Sequence, residues 1–333
     1  DLAVPGSGPI RGVAVLPISN VDTVFAWRDN AGATACDIFK ATSSGWSAIT
    51  LLNEVSFTVG GTAPPAEGDT LTQGGVTAVI KRVVHETGSW TGTSATGRLI
   101  IANPSGGNFA AGAATAPGTT LTLSGVQTAI TLTAGGRYMF ETHNFFGTAS
   151  KRRLYGCSGV HKAFEFDGTV YVPINHNDAS RFPSQIAVFK EHLFLGVESS
   201  VLHSGPGEPY KINAAAGGSE IALGDTVTNL IRQPGDAQTG SLNITTRSNA
   251  WILYGTSPLN WNLVGLNVGV MGLAYTGSRL NQTYWLDDNG VTNLVASQNF
   301  GNFDSAMLTN RITSFIQSKR GFAVGSAVHR EKS

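Results

Sequence analysis

Short apolar runs of four or five residues, each closed by a turn residue, recur along the chain. They are plainest in Leu193-Phe194-Leu195-Gly196, Trp251-Ile252-Leu253-Tyr254-Gly255 and Tyr284-Trp285-Leu286-Asp287-Asp288-Asn289-Gly290. Aromatic and β-branched side chains suit a buried, pleated surface, and the Gly or Asn-Gly behind them supplies the positive φ of a return turn. The same phrase reads in Val24-Phe25-Ala26-Trp27, with Asp29-Asn30 behind it, and in Arg153-Leu154-Tyr155-Gly156. From Leu154 to Phe194, Phe194 to Ile244 and Ile244 to Tyr284 the steps are roughly 40 to 50 residues, the period of β-propeller blades. A four-stranded sheet at each step has two apolar faces it cannot bury alone, so such sheets stack on one another. The step from Phe25 to Leu154 is about 80 residues too long for a single blade, and predicts an insertion.

Taken in order, residues 1–54 hold the first strands: Val13 to Leu16, Val24 to Trp27, and Ile38 to Thr42 followed by Gly45-Trp46. A simple β-meander explains this stretch locally as well as a blade does. Residues 55–134 change character, with a Gly or Pro every few positions and strands at Thr70-Leu71, Val76 to Val84, Gly97 to Ile101, Asn108 to Gly112 and Leu121 to Leu123. A small barrel of the SH3 or OB sort fits. Such barrels can bind oligonucleotide or sugar, but the aromatics here are only Phe57, Trp90 and Phe109, so a structural insertion is the preferred reading.

Residues 135–333 resume the repeat. Asp167-Gly168 between alternating runs predicts a tight hairpin, and Lys190-Glu191-His192 another. One helix is expected at 304–318, capped by Asp304 or Ser305, with Met307, Leu308, Ile312, Phe315 and Ile316 on one face and Lys319-Arg320-Gly321 ending it. The fold class expected is therefore all-β: a β-propeller-like repeat domain with an inserted small β-barrel and one short C-terminal helix.

Composition adds that only 13% of the 333 residues are charged while 41 are Gly, which means many turns and a surface poor in the mixed charge that keeps a free monomer soluble. An ordinary secreted β protein has the same composition. Lys plus Arg and Asp plus Glu both number 22, so no overall field draws the chain to nucleic acid or an anionic membrane. Cys36 and Cys157 stand alone, which excludes a zinc framework or disulfide scaffold and suggests small core residues. No apolar stretch reaches the length of a membrane helix. The absence of an initiator Met and the charged end at Val328 to Ser333 suggest a fragment of a longer chain.

Candidate chemistry is sparse. None of the seven His has HxH, HxxxH or HExxH spacing, and His143, His161, His176, His192 and His203 read as hydrogen-bonded residues at turns or strand ends. Gly156-Cys157-Ser158-Gly159 lacks nucleophile-elbow spacing. Asp287-Asp288-Asn289-Gly290 misses the calcium-loop pattern and reads as a hairpin turn. Asn243-Ile244-Thr245 and Asn281-Gln282-Thr283 match the glycosylation triplet by chance frequency. Lys151-Arg152-Arg153 is the one compact basic run: either a solvated loop, or, multiplied around an axis in a repeated subunit, a positive ring that meets DNA phosphates without reading sequence. No cofactor or metal is expected.

The order Gly68-Asp69-Thr70-Leu71, Gly75-Val76-Thr77-Ala78-Val79, Gly88-Ser89-Trp90, Gly97-Arg98-Leu99 and Gly107-Asn108-Phe109 resembles a small β module common in bacteriophage tail and virion proteins. Ile10-Arg11-Gly12-Val13, Phe39-Lys40-Ala41-Thr42 with Gly45-Trp46, and Val328 to Ser333 are similar to phage structural proteins that include the propeller-bearing nozzle and hub proteins of short-tailed phages. The resemblance implies a non-enzymatic virion component in the tail, copies of which form a ring, usually sixfold, around the DNA exit channel. It also implies contacts with adaptor or portal proteins and fibres, passing contact with DNA, and no membrane. A second reading, from a different class, is a propeller carbohydrate-binding protein or glycosidase, for which Glu141, Glu165 and Asp167 are the candidate carboxylates and their convergence on one cavity the discriminating feature.

Overall fold

The computed structural model describes residues 3–147, 151–176, 178–233, 235, 240–266, 272–279, 282–288, 290–296 and 303–326. The chain divides into two compact units, Asp1–Ala179 with Glu208–Ile212, and Ser180–Gly207 with Asn213–Ser333.

The first unit opens with a four-stranded antiparallel sheet of β1 (Ile10–Ile18), β2 (Val21–Asp29), β3 (Cys36–Thr42) and β4 (Gly45–Ala48). The barrel comes next: β5 (Asn53–Val59), β6 (Thr70–Gln73), β7 (Val76–Thr87), β8 (Thr96–Ser105), β9 (Gly112–Ala116) and β10 (Thr119–Leu123). Their order is β10-β9-β6-β7-β8-β5, and β10 also pairs with β5, so six strands close on themselves. β11 (Thr128–Ala129) lies beside β5. Asn108 to Ala111, expected as a strand, precedes β9 rather than forming one. The unit ends with a sheet of β12 (Met139–His143), β13 (Arg153–Cys157), β14 (Phe164–Phe166) and β15 (Tyr171–Pro173).

The second unit holds three more four-stranded meanders. These are β16 (Gln185–Phe189), β17 (His192–Val197), β18 (Ser200–His203) and β19 (Ser219–Ala222); β20 (Val227–Arg232), β21 (Leu242–Thr246), β22 (Ala250–Tyr254) and β23 (Asn262–Gly265); and β24 (Ser278–Arg279), β25 (Thr283–Leu286), β26 (Val291–Ala296) and β27 (Phe303–Met307). The fold is all-β and propeller-like, with an inserted barrel and one short helix, α1 (Thr313–Lys319).

The repeat found in the sequence has a structural phase. Phe25, Leu154, Phe194, Ile244 and Tyr284 all lie on the second strand of their sheets. Trp251 to Gly255 reads like the same phrase but runs along β22, a third strand, because an inner strand buried on both faces needs the same residue types whichever position it holds. The helix expected at 304–318 is corrected. Residues 303–307 form β27, registered on β26 from Thr292↔Met307 to Ala296↔Phe303, and the helix proper starts only at Thr313. Pairing with a waiting edge wins at 303–307, a stretch that holds only Met307 of the apolar face expected for the helix. The expectations at Asn281, Asn289 and Val328 to Ser333 lie outside the described residues.

Several cores bury the apolar faces of these strands, one of them formed by Ala250, Ile252, Trp285 and Leu294. Trp27 on β2 sits 4.6 Å from Phe140 and 5.9 Å from Phe164, ring centre to ring centre, and Phe25 meets Phe166 edge-on at 5.0 Å, joining the first sheet to the β12–β15 sheet. The barrel has its own core, including Val55, Phe57, Leu71, Ile80, Leu99, Ile101, Phe109 and Leu121. In the second unit Phe189, Phe194, Val227, Leu242 and Ile244 pack together. The two legs of the insertion run side by side, with Ile130 N–H donating to Leu52 O at 2.9 Å and Cys36 N–H to Leu132 O at 2.9 Å. Both cysteines are buried and unbridged, and burial pushes the Cys36 thiol up to about 11.

Candidate functional site: a buried arginine–carboxylate cluster beside an open pocket

Register on β12, β13 and β14 decides which side chains meet. Glu141 lies opposite Tyr155, His143 opposite Arg153, and Tyr155 opposite Glu165. Residues opposite one another share a face and alternate along each strand. Glu141, His143, Arg153, Tyr155, Glu165 and Asp167 therefore share one face, and Phe140, Leu154, Phe164 and Phe166 the other, which meets Trp27. Tyr155 and Glu165 are nonetheless fully buried, because the barrel covers that face.

The cover is a single strand with a defect in it. On β7 the register passes from Ile80↔Ile101 to Arg82↔Ile100, so Lys81 is an extra residue, a bulge. Ala78 and Ile80 point into the barrel core before it; beyond it Val83 packs against that core, and Arg82 is aimed outward. Arg82 Nη2 donates to Asp167 Oδ2 at 2.6 Å and lies 3.3 Å from Glu165 Oε1, while Nη1 reaches Glu67 at 3.2 Å. Arg153 answers from the sheet, with Nε 3.3 Å from Glu165 Oε1 and Nη1 3.3 Å from Asp167 Oδ2. Tyr210 donates its hydroxyl to Glu165 Oε2. A second anchor lies on β8, where Arg98 donates to Pro173 O at 2.6 Å, to Glu54 at 2.6 Å and to Glu86 at 2.9 Å; Asn175 also donates to Glu86 at 2.8 Å.

Burial and pairing pull the two carboxylates apart. Burial raises the Glu165 carboxyl above its ordinary value, against Arg82, the Tyr210 hydrogen bond and Arg153, which favour the charged form. Burial would raise Asp167 too, but the Val170 N–H, Arg82 and the Thr169 hydroxyl and N–H outweigh it, so that carboxyl sits below its ordinary value. Asp167 divides its labour. Oδ1 accepts from the Thr169 and Val170 N–H groups, both at 2.8 Å, and holds the hairpin turn, while Oδ2 takes the arginine. Gly168 has φ +97° there, and a Cβ on it would stand 2.4 Å from Ile18 Cδ1, so this turn needs its glycine.

A pair of carboxyls with opposed shifts is the usual preparation for acid–base work. Here it is closed off. Glu165 is enclosed by Tyr210 and two guanidinium groups, and of the three carboxylates only Asp167 lines the neighbouring cavity, which measures about 390 Å³ and is walled by Pro17, Ile18, Ser19, Asn20, Asn144, Arg152, Arg153 and Asp167. The carboxylates Glu141, Glu165 and Asp167 thus share a sheet face but do not converge on an open cavity. The basic run is divided as well. Lys151 and Arg152 are exposed, with Lys151 Nζ 5.9 Å from the centre of the Phe146 ring, whereas Arg153 is buried in the ion cluster and is not a surface cation. The sequence reading put Arg153 in a basic run and Glu165 among candidate carboxylates without pairing them; the register of β13 on β14 brings them to one face, and nothing in the sequence marked Arg82 as their partner.

The histidines fall into the structural roles expected of them. His192 and His203 in the second unit both direct Nδ1 at Ser204 O, at 2.5 and 3.1 Å, and His203 stands edge-on to Trp261 at 4.1 Å. Burial lowers both below the ordinary imidazole value, His203 to about 4. Among the described residues no three His, Cys, Asp or Glu are grouped to hold a metal ion, and no helix is long and apolar enough to cross a membrane.

No family model and no curated protein matches the chain. Solved structures similar to it include BBS1N in complex with ARL6DN, 9% identical over 86% of this chain and 91% of that one with a TM-score of 0.32. The Aleuria aurantia lectin bound to Fucalpha1-6GlcNAc is 7% identical over 91% and 97%, with a TM-score of 0.31. A prolyl endopeptidase is 12% identical over 88% of this chain and 49% of that one, with a TM-score of 0.27. Likenesses this slight do not bear on what the chain does.

Proposed function

We propose that the protein is a structural subunit of a bacteriophage tail, in the nozzle or hub position, whose copies form a ring around the DNA exit channel and bind adaptor or portal proteins and fibres. The virion assignment comes from the sequence resemblance of the inserted module and its flanks. The structural role is carried by one observation: the polar residues most suited to chemistry, Arg82, Arg153, Glu165 and Asp167, are spent on fixing the inserted barrel to a sheet of the same unit. A buried ion cluster whose charges are paired with one another holds one geometry rather than lowering a barrier. The work of such a subunit is to be a stiff wall, and DNA passes it without being read.

The charge-poor surface supports the same reading, since lateral contacts take the place of solvating charge. The test is the mass of the purified chain by light scattering, followed by electron microscopy of the particles. A closed cyclic oligomer is the expected result. A monomer at all concentrations, with hydrolytic activity on glycosides, would replace the proposal with the enzyme reading.

A further inference from the structure

The cavity beside the ion cluster has features that a stiff wall does not require. It lies between two tight turns of the first unit. One is Ser19-Asn20, both residues at positive φ (49° and 64°), joining β1 to β2 where Ile18 faces Val21. The other is Asp167-Gly168, whose glycine leaves room for Ile18. Two hairpin turns braced against each other make a preformed hollow, so a ligand would not have to order its walls.

The lining is specific in kind. Pro17 and Ile18 give an apolar platform; Ser19, Asn20 and Asn144 give a hydroxyl and two amides; Arg152 and Arg153 give guanidinium groups. Arg153 is held in place by Glu165 and Asp167 through Nε and Nη1. Asp167 is saturated by Arg82 and its own turn. The pair Arg153 and Asp167 is therefore neutral toward a ligand, and the net charge left at the mouth is that of Arg152, an exposed cation with no ion-pair partner among the described residues. About 390 Å³ lies within the range of small-ligand cavities, roughly 300–1,000 Å³, and matches a single ring with substituents.

We infer that this pocket binds one acidic sugar residue, a uronate unit of an anionic polysaccharide. A carboxylate takes the planar fork of Arg152 in two parallel hydrogen bonds. Neighbouring ring hydroxyls each donate and accept, which is what amides and a serine hydroxyl offer and what a phosphodiester does not use. The C–H face of the ring rests on Pro17 and Ile18. A DNA strand is held by several cations that track successive phosphates, whereas of the two guanidinium groups lining this pocket Arg153 is already tied to Glu165 and Asp167. The inference does not depend on the ring proposed above, since the pocket is complete within one chain.

The experiment is calorimetric titration of the full chain with an oligogalacturonate, its methyl-esterified neutral counterpart, and an oligothymidylate of equal charge. Binding of the oligogalacturonate is expected, weaker by about tenfold or more in Arg152→Gln and in Asn20→Gly, which keeps the positive φ of that turn, with thermal midpoints unchanged and the methyl ester not bound. Absence of oligogalacturonate binding up to millimolar concentration, binding that is the same in Arg152→Gln, or equal binding of the methyl ester overturns the inference. Tighter binding of oligothymidylate than of oligogalacturonate overturns it too, and returns Arg152 to the passing DNA contact.

Discussion

In the first unit the β12–β15 sheet buries two arginines' worth of charge against Glu165 and Asp167 and uses the cluster to hold a separate barrel. In the second unit the β16–β19 sheet buries His192 and His203 as neutral rings on one carbonyl, between Phe194 and Trp261, and packs there on the following sheet of the same unit through uncharged groups. Both regions place polar atoms inside packed sheets. Charge is used where an element from elsewhere in the chain has to be docked in one register, because a misplaced arginine would leave an unpaired ion in a dry interior. Neutral hydrogen bonds suffice where the strands themselves already fix the geometry.

The largest effect should come from removing the centre of the cluster. Glu165→Ala leaves Arg82 and Arg153 facing each other without the buried anion, which costs about 3–5 kcal/mol for a broken buried pair. Urea unfolding of the variant measures it. A loss below about 1 kcal/mol would mean that the cluster is solvated in practice, and the contrast between the units would collapse. Arg82→Met should cost less, about 2–3 kcal/mol, the value of charge-assisted hydrogen bonds, since Arg98 still ties the barrel to Pro173 O and Glu165 keeps Arg153. Hydrogen exchange locates the effect. Faster exchange is expected at residues 49–52 and 130–136, the two legs, with Leu99 and Ile101 in the barrel core still protected.

These two residues also mark the limit of what the sequence discloses. The sheets were legible because a period of apolar runs reports burial directly, and the Asp167-Gly168 turn because positive φ narrows the choice of residues; the turn expected at Lys190-Glu191-His192 comprises Lys190 and Glu191, both at positive φ despite their side chains, while His192 already pairs with Phe189 on β17. The inserted module was legible as an interruption of that period. The cluster was only half legible. Alternation assigns Glu165 and Asp167 to one face, but Arg153 joins them through the register of β13 on β14, and the pairing of Arg82 with partners more than eighty residues on depends on the bulge at Lys81; a one-residue slip inside an apolar strand leaves no mark in composition. The basic run Lys151-Arg152-Arg153 is divided because the strand begins at its last residue: Lys151 and Arg152 lie before β13 and are exposed, while Arg153 is already inside the sheet and buried.

Acidity should separate the units next. His203 has a folded value of about 4 against 6.5 when unfolded, so between those values the unfolded chain binds more protons. Its contribution to stability is complete above about pH 6.5 and is lost as the pH falls toward 4. Glu165 has the opposite sign: raised above 4.5, it binds more protons folded than unfolded, and its contribution to the stability of the first unit declines as the pH rises above 4.5. Thermal midpoints of His203→Phe should therefore fall less than those of the natural chain between pH 6.5 and 4, and Trp261 fluorescence, 4.1 Å from the imidazole, should report the protonation. Glu165→Gln should leave that histidine slope untouched. Equal slopes in the natural chain and His203→Phe would place the acid sensitivity elsewhere.

The smallest effect is expected at Arg181 and Glu220, an ion pair of the second unit at 3.3 Å with side chains 27% and 42% exposed. Its geometry resembles the 3.3 Å contacts of Arg153, and only its surroundings differ. Water solvates both groups when the pair is broken and salt screens them when it is made, so Arg181→Ala should cost no more than about 1 kcal/mol, and less in high salt. Set beside Glu165→Ala, this variant removes a contact of the same length from an exposed site. If urea unfolding gave the two variants similar losses, distance rather than desolvation would be what the cluster contributes, and the barrel's attachment would have to be credited to Arg98 and its neutral carbonyl partner instead.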